Sequence, residues 1–153
     1  MVKHFLSSFE AGIYGALSTL GKIIFFAISP ITATMFPIVS GRMSKGLAYS
    51  KVVFTAFFAT LALSLCVVLF YFLFPELAIG ILYGTDYLVA TRELFWMGLF
   101  MLFYSLSFFL VNFLLSKGNM FVVWFPLAAA AIQIPAIWFF HTSLLQVIQV
   151  SLV

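Results

Sequence analysis

Apolar positions in this chain come in long unbroken runs rather than in alternation. From Ala11 to Ser40 the sequence reads AGIYGALSTLGKIIFFAISPITATMFPIVS, with Lys22 as its one charged side chain and none between Lys22 and Arg42. At about 1.5 Å of rise per residue that charge-free interval covers roughly the ~30 Å hydrocarbon thickness of a bilayer. Uncharged runs follow at about residues 52–74, 94–116 and 120–140, and a fifth, 144–153, stops after ten residues. Continuous runs of this length predict membrane-spanning helices rather than the alternating strands of a barrel. The expectation is an all-α, polytopic transmembrane bundle: helices at 11–40, 52–74, 94–116 and 120–140, with a truncated helix at 144–153. Four helices and the start of a fifth suggest part of a larger bundle.

Polar and small residues within these runs recur at sevens. Gly15, Lys22 and Ser29 share one face of the first helix, with Ser18 and Ala33 nearby; Gly98, Ser105 and Asn112 do the same on the third. Such a stripe suits either close packing against other helices or the lining of a wet cavity. A lysine in this setting faces a cavity or snorkels to the headgroups. Pro30 and Pro37 in the first helix, and Pro126 and Pro135 in the fourth, predict kinks or breaks.

Composition agrees with the pattern. Of 153 residues 65% are hydrophobic and 7% charged, and the mean hydropathy is +1.25. A soluble domain carries about 25% charged residues, so this chain could not cover itself with polar groups. The net charge of +3 comes from few residues and carries topology rather than a nucleic-acid footprint. Residues 41–51 hold Arg42, Lys45 and Lys51 with no acid, and residues 117–119 hold Lys117, which predicts both as cytoplasmic. Residues 75–93 hold Glu76, Asp86, Arg92 and Glu93, three acids against one base, a balance of −2 that predicts the extracytoplasmic side. Their apolar part, Leu77–Tyr83, is too short to span and suits the interface.

Catalysis finds little support. His4 and His141 lie near membrane ends, where a histidine is an interfacial residue more often than a base. There is no glycine-rich phosphate loop, no nucleophile elbow and no cluster with metal-ligand spacing. Cys66 is single, so no disulfide forms within the chain. The expectation is a non-enzyme without cofactor or metal.

Three segments then resemble a known family. Gly12–Gly15 gives a glycine-hydrophobic-tyrosine-small pattern opening a helix. Phe36–Ser40 gives an F-P-hydrophobic ending that closes on serine, and Leu82–Tyr87 reads LYGTDY after the next helix. In this order the chain resembles the bacterial polysaccharide biosynthesis proteins, lipid-linked oligosaccharide flippases of the multidrug/oligosaccharidyl-lipid/polysaccharide exporter superfamily, over about residues 11–120. The resemblance implies part of the C-terminal lobe of a two-lobe exporter, partnered by the N-terminal lobe and embedded in a bacterial or archaeal cytoplasmic membrane. It implies flipping of a polyprenyl-diphosphate-linked oligosaccharide for a polysaccharide such as lipopolysaccharide or capsule, with Lys22 contacting the anionic carrier or glycan. Lys22, Ser29, Ser105 and Asn112 would line the cavity. The alternatives are a multidrug-type exporter, which would need a cavity acid that the spans lack, and a membrane-embedded glycan or acyl transferase using His141 or the loop acids.

Overall fold

The computed structural model describes residues 8–139 and Ile148. Among them the regular elements are helices: α1 (Ser8–Ser44), α2 (Ser50–Leu73), α3 (Pro75–Tyr83), α4 (Thr91–Ser116) and α5 (Trp124–Phe139). Single 3-10 segments, Thr85–Ala90 and Met120–Val123, lead into α4 and α5. The stretches Ala11–Ser44, Ser50–Leu73 and Thr91–Ser116 are long and apolar enough to cross a membrane. The chain is an all-α bundle with the makings of a membrane-embedded protein.

The boundaries differ from expectation for local reasons. Helix α1 does not stop at Ser40 but runs on to Ser44, because the left-handed residue that ends it is Gly46 (φ 67°), not Gly41. Leu47 N–H returns to the Arg42 carbonyl at 2.9 Å, and the Arg42 guanidinium (Nη1) donates to the Ala48 carbonyl at 3.0 Å, closing the turn. Residues 75–93 are no plain loop. Pro75 opens α3 at a position where its missing N–H is not needed, Gly84 (φ 78°) ends it, and Ala78 and Ile79 are buried against the bundle. Gly118 (φ 79°) ends α4 in the tight turn expected around Lys117, whose ammonium lies 5.7 Å from the centre of the Phe113 ring. Over the fourth predicted span the described residues form the 3-10 segment and the 16 residues of α5, about 24 Å of α-helix after about 8 Å of 3-10 helix. The predicted 144–153 helix lies outside the described residues except for Ile148, whose side chain is buried in the main core.

Helices α1, α2 and α4 pack as a three-helix bundle. Tyr71 near the end of α2 meets Leu20 of α1 and Gly98 of α4, whereas Phe57 near the start of α2 meets Phe109 of α4. Helix α2 therefore runs antiparallel to the other two. The core is Ile13, Leu17, Leu20, Ile24 and Ile28 of α1 against Val68 and Tyr71 of α2 and Leu94, Met97, Met101 and Leu102 of α4. A second cluster, Met35, Val39, Ala56 and Phe109, continues it toward the Arg42 end.

The distribution of side chains suits lipid. Helix α2 turns Thr60 and Ser64 inward while Phe54, Phe58, Leu65, Leu69 and Phe72 point out. Each of the three spans buries at least one hydroxyl: Thr32, Thr60 with Ser64, and Ser105. Small hydroxyl residues between helices with Phe and Leu outside is the arrangement of membrane bundles, where hydrocarbon solvates the outer face.

One long-range hydrogen bond ties the bundle. The Tyr71 hydroxyl donates to the Leu20 carbonyl at 2.7 Å, both groups buried. Tyr71→Phe keeps the ring and loses this bond, so unfolding in detergent should show a loss of about 0.5–1.5 kcal/mol. An unchanged unfolding midpoint would mean that the bond contributes nothing to the fold.

Candidate functional site

The expected cavity set does not come together on one surface. Lys22 is exposed on α1, on the side opposite the buried Ile24. Gly15, with no atom within 4 Å of a built Cβ, and exposed Ala33 and Ser40 lie along the same line, with half-buried Ser18 beside them. This is the seven-spaced face predicted for the first helix, and it points away from the bundle. Its apolar opposite, Ile13 to Val39, is the side that packs.

Ser105 behaves differently. It is fully buried between the helices, and its hydroxyl has no hydrogen-bond partner. Gly98, seven residues before it, is also buried; a Cβ there would stand 3.3 Å from Tyr71 Cδ2 and 3.6 Å from Val68 Cγ2. The Gly98–Ser105 part of the α4 stripe is thus a helix-packing face, with Ser105 enclosed between the helices. Asn112 is half-buried, and its amide (Nδ2) donates to the Phe108 carbonyl one turn back at 2.8 Å. That local bond occupies a donor otherwise available to a ligand.

Ser29 has a local task as well. Pro30 has no N–H to donate, so the Phe26 carbonyl lacks its usual partner. The Ser29 hydroxyl donates to that same carbonyl at 3.2 Å. Helix α1 continues through Pro30 and Pro37 without a break. In α5, Pro126 is the third residue, within the first turn where no N–H partner is required, and it is not a kink site. Pro135 does lie inside α5.

The depth of Lys22 follows from the packing. Leu20, two residues away, is level with Tyr71 near the Pro75 end of α2, and Arg42 lies twenty residues on, about 30 Å along the helix. Lys22 therefore lies toward the α3 end of the bundle, at the level of Tyr71 and Met101, with Ala33 and Ser40 further along its face of α1.

Beside this face is an aromatic cluster that the sequence pattern did not single out. Phe25 packs on Phe108 at 5.1 Å and on Tyr104 at 5.6 Å between ring centres, and Tyr104 remains exposed. Phe25 follows Lys22 by three residues, which places it on a neighbouring part of the helix surface. Gly21 was also passed over. A Cβ on it would stand 2.8 Å from Met101 Cγ and 3.0 Å from Met97 Cγ, so it marks the closest approach of α1 and α4.

Chemically the surface offers one cation, small residues and aromatic edges. No group of three or more His, Cys, Asp or Glu side chains able to hold a metal occurs among the described residues. No family model, curated protein or solved structure matches the chain.

Proposed function

We propose that this chain forms part of one lobe of a membrane transporter that flips a polyprenyl-diphosphate-linked oligosaccharide, with the Lys22 face of α1 turned toward the substrate pathway. One observation carries the reading. The exposed face of α1 carries the cation Lys22 with the small or polar Gly15, Ala33 and Ser40, interspersed with exposed Phe26 and Phe36. A cation within such a face is a poor match for acyl chains. It suits a water-filled passage between this bundle and another lobe of the transporter.

Within that reading Lys22 stands at the mouth, where the diphosphate of a lipid-linked carrier travels at headgroup depth. An ammonium there attracts the anion, and the small residues beyond leave room for a glycan. The resemblance at Gly12–Gly15, Phe36–Ser40 and Leu82–Tyr87 supports the same function, and the basic Arg42–Lys51 turn supports a cytoplasmic placement for that end.

The test is export of the lipid-linked glycan by the protein as the cell makes it, in a strain without its own flippase and at matched membrane levels. Lys22→Ala should lower export about fivefold, as expected for an exposed charge pair worth roughly 1 kcal/mol. Lys22→Arg should restore most of it. Equal export by all three proteins would reduce Lys22 to a snorkelling anchor and remove it from the pathway.

A further inference from the structure

At the other end of α1 a groove of about 410 Å³ opens between α1 and α2. Its walls are mostly apolar, Ile31, Met35 and Ile38 from α1 and Val52, Ala56 and Ala59 from α2, with the hydroxyl residue Thr55 among them and Lys51 at the mouth. Thr34 also lines it, but its hydroxyl is spent on the Pro30 and Ile31 carbonyls at 2.9 and 3.0 Å. At that position the groove gains no free polar group from Thr34. From Lys51 to Ala59 it runs eight residues along α2, about 12 Å, which is less than half of the ~30 Å hydrocarbon layer. Its depth therefore matches one leaflet.

The rim has one sign of charge. Lys51 stands in the first turn of α2, Arg42 in the last turn of α1 and Lys45 in the turn that joins them, all three exposed. No acid occurs between Gly41 and Lys51. The Arg42 guanidinium is partly engaged by the Ala48 carbonyl, whereas Lys51 is the basic side chain that lines the groove itself.

We infer that this groove seats one acyl chain of an anionic bilayer phospholipid, with the lipid phosphate against Lys51. An apolar slot one leaflet deep, beneath a basic rim at the headgroup level, complements that ligand in both its parts. A second copy of the chain is a poorer match: a helix filling the slot would continue across the whole bilayer, past the point where the groove ends at Ala59. The inference depends on the chain lying in a membrane and not on what it transports.

The experiment counts lipids retained by the purified full protein, using native mass spectrometry after exchange from detergent into mixed micelles. Phosphatidylglycerol, phosphatidylcholine and a polyprenyl phosphate are offered in turn. Wild type should retain phosphatidylglycerol over phosphatidylcholine. Lys51→Gln should cut that retention about fivefold, as expected for roughly 1 kcal/mol per basic residue at an anionic surface. Lys51→Arg should keep it.

Ala59→Phe alters no charge and sits at an exposed position, so it fills the groove without touching the core. It should lower phosphatidylglycerol retention by a similar factor. Full retention in Ala59→Phe would mean that the basic turn alone gathers lipid and would overturn the seat. Loss in neither variant would overturn it as well. Preferential retention of the polyprenyl phosphate, displaced by Ala59→Phe, would assign the groove to the carrier lipid and overturn the phospholipid assignment.

Discussion

Gly21→Leu should unfold or severely destabilise the bundle, whereas Gly15→Leu, on the same helix, should leave its stability within about 0.5 kcal/mol of wild type. The difference lies in what each position faces. At Gly21 even a single Cβ would intrude on Met97 and Met101, at 3.0 and 2.8 Å from their Cγ atoms, and both methionines are themselves buried. Cγ lies near the root of a side chain, so rotating the thioether away does not clear it. Overpacking a closely packed site costs about 1–3 kcal/mol for a few added carbons, and the branched end of Leu forces the helices apart as well. Total stabilities are only about 5–15 kcal/mol, so this is a large share. The better helix propensity of Leu returns at most about 1 kcal/mol. At Gly15 nothing lies within 4 Å, so a Leu side chain extends into open space. Unfolding midpoints in detergent, with folded yield as a second readout, decide the matter. Similar stability for the two variants would show that α1 does not approach α4 through Gly21.

Those two glycines also mark how far the sequence could be read. Spans, their order and the basic turn were legible because uncharged runs of twenty or more residues have few other destinations. The seven-residue spacing correctly put Gly15, Lys22 and Ser29 on one face, and Gly98, Ser105 and Asn112 on another. It could not say which face pointed inward. In water the apolar side of a helix is the buried side, and the pattern carries a sign. In lipid both sides can be covered, one by hydrocarbon and one by protein, and the sign is lost. Hence α1 turns its small face out while α4 turns its small face in, on the same sequence pattern. Ser29 shows a local rule outweighing a global one: beside Pro30, its hydroxyl belongs to the Phe26 carbonyl that the proline leaves open. The α1–α2 groove was illegible for another reason. It depends on where two helices diverge, and no single helix records that.

Charge reversal at Lys22 should have the larger functional effect, with export in Lys22→Glu falling below the level left by Lys22→Ala. Alanine removes an attraction, but glutamate replaces it with repulsion of the same diphosphate at the same mouth. Two unit charges about 4 Å apart interact by roughly 1 kcal/mol in water and about 4 kcal/mol near a protein surface. Lys22 is exposed, so its interaction belongs toward the lower figure. Even 1 kcal/mol of repulsion, added to the loss expected with alanine, lowers export by about a further fivefold. Folding should be little changed, since Lys22 is exposed and faces away from the core. Matched membrane levels of the two variants, with unchanged unfolding in detergent, would confirm that premise. Ionic strength supplies an independent readout. Because the Debye length shrinks from about 10 Å at 0.1 M to about 3 Å at 1 M, the gap between Lys22→Glu and Lys22→Ala should narrow when export is assayed in vesicles at high salt. Equal export by the alanine and glutamate variants at low salt would mean that no anion passes Lys22, and the pathway would have to be sought on another face of the bundle.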